Sequence, residues 1–415
     1  MIVPETTSRY RWVVLFAVFP MIVANEIMWL SIAPVSSLAQ EFYGVGAASI
    51  DILSISFMLM FIVFSVPASW VIDRFGFRTS LIIGALLTAV FGIVRAGFAD
   101  SFTIVLISQF LIAIGQPFLL NISTKVPANW FPITERSTAA GILTMAQYVG
   151  FAIPMLLSPL LAESMGIPHM LWVYAIIAAV AACIAIAFTR ERPATPPPGP
   201  VPAEEVISLS SIRQLLRNGP YVLVLIVCFV SIGVFNTILT VLESILLPRG
   251  ITSAEAGVIG AVFVLAGVVG AVLLPILSDK LRIRVPFFLT AILILIPAYL
   301  CFAFVGSFPV LAVVAGIAGF MIMGVAPILF QHGSEVAYPA QEGTSLGVIL
   351  LMGQISGILF VLAFSALNSA SGDPTLPMLL IVAVTALVLP VVRRMKESGI
   401  GALPQGDVRR DGASA

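Results

Sequence analysis

Apolar runs about as long as a bilayer is thick recur from one end of this chain to the other, and nothing else constrains its fold so much. Trp12–Ala24, Leu81–Val94 and Val222–Val230 are the plainest. A helix needs about 20 mostly apolar residues to span the hydrocarbon core. Cutting the sequence at charges, prolines and glycine clusters yields about twelve such stretches, near 11–34, 48–71, 79–98, 101–125, 137–162, 169–189, 219–246, 255–277, 285–305, 308–334, 343–369 and 375–392. Composition closes off the soluble alternative. Only 10% of the 415 residues are charged and 60% are hydrophobic, against roughly 25% charged in a typical soluble domain. The expected fold class is an all-α membrane protein.

Formal net charge is zero, with 20 Lys+Arg against 20 Asp+Glu, so no nucleic-acid partner is expected. Position matters more than sum. Once the spans are drawn, one side collects Arg9, Arg11, Arg74, Arg78, Lys125, Arg136, Arg190 to Arg217, Lys280 to Arg284, and Arg393 onward. Arg95 and Arg249 fall near the other side. The positive-inside rule then puts both termini in the cytoplasm, across a cytoplasmic membrane, and an even number of spans agrees. Cys183, Cys228 and Cys301 sit inside apolar runs and read as small hydrophobes. They show no disulfide or metal spacing, so no cofactor and no metal is expected. The first apolar run continues past Trp29 and reads as a span rather than a cleaved leader.

Every connection is short except one. Residues 190–218 read RERPATPPPGPVPAEEVISLSSIRQLLRN. The prolines cannot hold a helix, and a short amphipathic helix over Ser208–Arg217 follows them. This predicts a six-helix bundle over 1–189, a Pro-rich cytoplasmic linker over 190–218, a second six-helix bundle over 219–396, and a disordered tail over 397–415. The halves look like copies. Asp73 opens DRFGFR and Asp279 opens DKLRIR, 206 positions on. Glu135, Gln147 and Gly150 recur as Glu342, Gln354 and Gly357, and Pro132 as Pro339, each 207 on. Parallel repeats about an axis along the membrane normal are the pattern of major facilitator transporters. The expected architecture is therefore twelve transmembrane helices in two pseudo-symmetric six-helix bundles.

The loop after the second span reads PASWVIDRFGFRTSLIIG. Asp73, Arg74, Gly76 and Arg78 make a compact turn, with glycine permitting the bend. The second half repeats the acid and bases as Asp279, Lys280 and Arg282. An acid at a helix end can pair with bases across the bundle seam and latch one conformation, so these are the expected gating residues. The loop resembles the major facilitator signature G-x-x-x-D-R-x-G-R, with Ala68 or Ser69 in place of the leading glycine. An incidental Asp in a basic anchor is the alternative.

Glu26 lies about halfway along the first span. An ionisable group there costs roughly 2.5–3.5 kcal/mol on insertion scales unless it faces a cavity or a partner. Trp29 is three residues on and shares its helix face, and Asn25 precedes it. A carboxylate beside an indole offers a cation both charge and a quadrupole face. Gln116 stands mid-span in IAIGQPFLLN, with Pro117 breaking the backbone ladder and Asn121 following. Gln147 and Gln354 hold paired positions, and Asn236 is a further cavity residue. Any one of these amides alone reads as an interhelical hydrogen bond. Together they mark a central binding site. Glu26 and Glu335 are the candidates for proton coupling. For Glu335, and for His332 beside it, a structural cap or interbundle contact is the stronger alternative. His169 falls in an external loop.

RWVVLFAVF…NEIMW, EFYGVGAASIDILSISFMLMFIVFSVPASWVIDRFGFR and SEVAYPAQEGTSLGVILLMGQISGILF together resemble the feline leukaemia virus subgroup C receptor family. These are major facilitator proteins linked to choline, ethanolamine and haem transport. The similarity covers roughly residues 9 to 395. In its choline-transporting members a helix-one Trp and Gln residues of helices four and eleven line the ligand site. The resemblance implies those roles for Trp29, Gln116 and Gln354, with Asn25 matching a family Asn. Glu26 departs from the pattern, standing where the family has a small residue.

The sequence therefore predicts a monomeric secondary or facilitative transporter of a small-molecule substrate, surrounded by membrane lipid and working by alternating access. A choline- or ethanolamine-like cation is the first expectation. Haem, another metabolite or a drug-like efflux substrate is the alternative on the same fold. Glu26 opposes anions, and VGFAIPMLLSP stands where an antiporter-type G-x-x-x-G-P-x-x-G stretch is wanted. A membrane enzyme or receptor is a remote alternative. An enzyme needs paired acids, a metal cluster or a nucleophile–base pair, and the sequence offers no such set. No enzyme activity is expected.

Overall fold

A computed structural model describes residues 9–132, 135–193, 209–337 and 342–397. Most of the Pro-rich linker, the tail from 398 onward and residues 1–8 lie outside the described residues, and with them the disorder expected of that tail. Fourteen α-helices are described: α1 (Tyr10–Leu30), α2 (Ser36–Tyr43), α3 (Ala47–Phe75), α4 (Phe77–Gly97), α5 (Phe102–Leu120), α6 (Ile122–Trp130), α7 (Arg136–Phe188), α8 (Leu209–Arg217), α9 (Gly219–Leu246), α10 (Ser253–Leu281), α11 (Val285–Phe304), α12 (Phe308–Ala337), α13 (Glu342–Ser371) and α14 (Thr375–Arg394). No strand occurs among the described residues.

The 53 residues of α7 are not one rod. Gly166 takes φ 81° and ψ 163°, a backbone essentially reserved for glycine. Ser158 Oγ and Tyr174 Oη lie 2.8 Å apart although 16 residues separate them. A straight helix would hold those positions about 24 Å apart. The two arms therefore double back at Gly166, and the eleven helical runs long and apolar enough to cross a membrane make twelve crossings. Span four is interrupted at Asn121, four residues past Pro117, which divides it into α5 and α6.

With the crossings alternating, one face of the molecule carries Tyr10, Phe75, Trp130, Phe188, Gly219, Leu281, Ala337 and Arg394. This is the near side, where the basic residues gather. The opposite face is the far side. Helices α1–α7 form one half and α9–α14 the other, with α8 lying against α9 and α13. Small residues bring helices close within a half. A Cβ on Gly270 would come 2.1 Å from the Phe320 carbonyl oxygen, so α10 and α12 meet backbone to backbone.

Across the seam α3 packs on α13, α7 on α10, and α9 on the single 3-10 turn Ala33–Val35 that follows α1. At the far side Glu243 of α9 accepts hydrogen bonds from Ser37 N (2.9 Å) and Ser37 Oγ (2.5 Å) at the start of α2, and from Ser253 Oγ (2.7 Å) of α10. Ser37 and Glu243 are 206 residues apart, the offset that relates Asp73 to Asp279, so this contact lies on the pseudo-twofold axis. Ser365 of α13 donates to Asp51 of α3. The same offset maps Asp51 and Ser365 onto Gly257 and Pro159, which also meet: a Cβ on Gly257 would stand 2.9 Å from Pro159 Cγ and 2.3 Å from the Met155 carbonyl oxygen. The far side is thus closed by one axial contact and two related flanking contacts, one polar and one apolar.

Candidate functional site

The expected site residues of α1 are deeply buried. Glu26 is 0% exposed, Asn25 1% and Trp29 6%. A Cβ on Gly150 would stand 2.5 Å from the Glu26 Cβ, so glycine there lets α7 press against α1 at the carboxylate. Gln116 of α5 donates its amide to both Glu26 oxygens, at 3.3 and 3.1 Å. Two residues expected separately therefore form one unit. Asn25 Nδ2 donates to Thr88 Oγ1 at 2.9 Å, while its Oδ1 is buried without a hydrogen bond.

Trp29 donates its indole N–H to the Ser54 carbonyl at 3.0 Å. Phe57 stacks with it at 6.2 Å and Phe151 meets it edge-on at 5.3 Å. Phe151 in turn lies 6.4 Å from Phe235 of α9, so the aromatic cluster continues into the second half. Asn236 follows Phe235 and is buried, its Nδ2 2.8 Å from where a Cβ on Gly357 would stand. Gln147 and Gln354 are half-buried on α7 and α13. Sequence reasoning missed Phe57, Phe151 and Phe235, because phenylalanine in an apolar run carries no mark of where it points.

Behind Trp29 lies a second unforeseen group. Arg95 of α4 is fully buried and donates to the Met28 carbonyl (3.3 Å) and to Gln109. Gln109 donates to the carbonyls of Met28 (3.1 Å) and Leu53 (3.3 Å). The pair grips the backbone just before Trp29 and just before its acceptor Ser54. Position near the far side was all the sequence indicated for Arg95; Gln109 gave no signal.

The remaining residues lie elsewhere. Asn121 donates to the Ser65 carbonyl (3.0 Å), Ser65 Oγ (3.2 Å) and Ser69 Oγ (3.1 Å), joining α5 to the near half of α3 within one bundle. Glu335 is tied to Arg284 at 2.5 Å at the near end of α12. Among the described residues Asp73 pairs with Lys125 of its own half at 3.2 Å and Asp279 with Arg284 of its own half at 3.6 Å in this conformation. Arg74, Arg78, Lys280 and Arg282 are exposed at the near side.

Each loop is instead closed by a carboxylate from the end of its own half. Glu191 accepts from Phe77 N (3.2 Å) and Arg78 N (2.8 Å) at the start of α4. Glu397 accepts from Arg284 N and Val285 N (both 2.9 Å at closest) at the start of α11. A negative group suits a helix N-terminus. Gly76, at φ 90°, leaves room for it: a Cβ there would fall 2.4 Å from the Glu191 carboxyl carbon. In the second half Arg282 takes the left-handed turn with φ 56°. Burial holds the Glu191 carboxyl above its ordinary range, against the opposing pull of the Arg78 and Phe77 N–H groups. No group of three or more His, Cys, Asp or Glu able to hold a metal occurs among the described residues.

Twelve crossings in two related halves, with polar side chains buried at mid-depth, define an integral membrane protein of the two-bundle transporter class. The chain belongs to the Major Facilitator Superfamily, whose family model matches residues 14–361. It is 33% identical to solute carrier family 49 member A3 of Danio rerio over 388 residues, covering 89% of this chain and 81% of that protein. It is 29% identical to the choline/ethanolamine transporter FLVCR1 of Felis catus over 389 residues, covering 88% and 69%. Among solved structures it resembles a bacterial homologue of the human lysosomal transporter Spinster, with TM-score 0.69, 20% identity, and coverage of 95% of this chain and 96% of that one. That last likeness concerns the fold alone.

Proposed function

We propose that this transporter moves a small organic cation of the choline or ethanolamine kind by alternating access, as a monomer, with both termini in the cytoplasm. The observation that carries the reading is Glu26: a carboxylate with 0% exposure, held by the single amide of Gln116, one helical turn from Trp29 and its aromatic neighbours. A carboxylate so placed attracts a positive charge, and the Trp29, Phe57 and Phe151 rings add cation–π faces for a methylated or primary ammonium. The amides of Gln116, Gln147, Gln354 and Asn236 orient a hydroxyl without trapping the ligand. The relatives named as choline/ethanolamine transporters support the same substrate class. In this cycle the Ser37–Glu243 and Asp51–Ser365 contacts break when the far side opens, and the site is exposed alternately on either side of the membrane.

Thermal stability of the purified protein against choline, ethanolamine, betaine, haem and pyridoxine tests the substrate class, since a ligand of the folded state raises apparent stability by mass action. Choline or ethanolamine should stabilise the wild type, and Trp29→Ala and Glu26→Gln should each abolish the shift. Stabilisation by haem alone would remove the cation reading. Glu26 is also the group positioned to carry a coupled proton. Whatever uptake into proteoliposomes Glu26→Gln retains should be independent of an imposed pH gradient, and a retained dependence would exclude that role.

A further inference from the structure

We infer that the near-side cleft between α1 and the second arm of α7 is a binding site for an anionic phospholipid. An apolar groove of about 420 Å³ lies there, lined by Trp12, Val13, Phe16 and Ala17 of α1 and by Ile184 and Phe188 of α7. Val13, Phe16 and Phe188 are exposed to the surroundings of the protein, which at this depth are lipid. A cleft of this kind takes an acyl chain. What selects the headgroup is the charge at its near-side end.

At the near side each helix that forms the groove is flanked by an arginine. On α1, Arg9, Val13 and Phe16 follow one another at four and three residues and so lie on one helical stripe. Arg9 is exposed at the head of that stripe. On α7, the helix ends at Phe188 and Arg190 follows two residues on, exposed. Its guanidinium carbon lies 4.8 Å over the Tyr10 ring. Tyr10 in turn donates its hydroxyl to the Phe188 carbonyl at 2.8 Å, which ties the two helix ends together at the mouth of the groove.

The described acids nearest this end of the groove are engaged elsewhere. Glu191 is turned to the start of α4, where it accepts from Phe77 N and Arg78 N, and Glu135 is paired with Arg11 at 3.0 Å. Arg9 and Arg190 are both exposed at the near side and ion-pair with no acid among the described residues, with Trp12 at the level that interfacial aromatics favour. Two arginines near a lipid surface favour an anionic over a zwitterionic headgroup by a factor on the order of thirty.

The test is native mass spectrometry of the full-length protein released from detergent, titrated with palmitoyl-oleoyl phosphatidylglycerol or with the matching phosphatidylcholine. One phosphatidylglycerol should bind in clear preference to phosphatidylcholine. The double variant Arg9→Ala/Arg190→Ala should lose the preference, Arg9→Lys/Arg190→Lys should keep it, and Arg393→Ala/Arg394→Ala, which removes equal charge from another helix end, should keep it too. Val13→Trp, an exposed groove position, fills the groove, spares both arginines and should lower occupancy by either lipid. Equal binding of the two lipids by the wild type, or loss of preference in the Arg393/Arg394 variant as large as in the Arg9/Arg190 one, would overturn the assignment. If the alanine double variant fails to fold, the lysine variant and Val13→Trp still decide it, since unchanged occupancy in Val13→Trp would also count against the groove.

Discussion

Ser37→Ala removes one hydroxyl from the axial contact and leaves each half otherwise intact. In the far-side-closed form that hydroxyl donates to Glu243 at 2.5 Å, alongside the Ser37 backbone N–H, while the third donor, Ser253, belongs to the same half as Glu243. A hydrogen bond to a charged group contributes about 1.5–3 kcal/mol. Only bonds that cross the seam are lost on opening, so Ser37→Ala should move the closed-to-open ratio by roughly 10- to 150-fold toward open. Ser253→Ala removes a bond that persists in both states and should leave the ratio nearly unchanged. The readout is the distance between spin labels at Phe42 and Leu247, which are exposed at the far side on opposite halves, after replacement of Cys183, Cys228 and Cys301. Gly257→Ala provides a second route to the same end, because its Cβ would fall 2.3 Å from the Met155 carbonyl oxygen across the seam. A longer-distance population should grow in Ser37→Ala and in Gly257→Ala. The reasoning fails if Ser253→Ala shifts the distances as much as Ser37→Ala does. It fails equally if Gly257→Ala opens the far side while Ser37→Ala leaves it shut.

Three further outcomes are expected. Gly150→Ala sets a Cβ 2.5 Å from that of Glu26 and 2.9 Å from the Val23 carbonyl oxygen, so it should cost about 1–3 kcal/mol and lower the melting temperature; an unchanged melt would show that α1 and α7 have room to part. Arg95→Met should leave the protein foldable but weaken ligand binding and alter Trp29 fluorescence, through the loosened Met28 and Leu53 carbonyls, and a variant with wild-type affinity and spectrum would deny Arg95 a positioning role. Glu191 has its carboxyl raised by burial, so the folded state holds the proton more tightly than the unfolded chain; its contribution is full below the unfolded value and declines as pH climbs through the folded one. Glu191→Gln should remove that decline from a plot of melting temperature as pH rises above the ordinary carboxylate range, whereas parallel curves for variant and wild type would refute it.

Span positions, the doubled architecture and the buried polar residues of α1 were legible because bilayer length and the cost of intramembrane charge write directly into sequence. Partners were harder. Glu26 and Gln116 stood out singly, but that they bond to each other depends on how α1 and α5 rotate about their axes, which apolar periodicity leaves loose when a helix is hydrophobic nearly all round. Asp73 matched a known loop pattern, yet its partner Lys125 comes from α6, past the helix break at Asn121. Asp51 and Glu243 were overlooked for a different reason. Both fall near the ends of predicted spans, where a carboxylate normally signals the water interface. A usable signal did exist: applying the repeat offset to Ser37 returns Glu243. Arg95 escaped because a buried base held by carbonyls and an amide needs no acid nearby to announce it.

The Ser37–Glu243 contact also bears on how two copies of one bundle can ever work together. Away from the axis, duplicated halves are free to keep the same residue at equivalent positions, since each copy faces something other than itself. On the axis a position meets its own counterpart. Two serines there would make a weak gate, and two glutamates would bury like charges against each other. A strong closure between descendants of a single ancestor therefore requires that the axial pair diverge into donor and acceptor, and once it has done so the halves can no longer be exchanged.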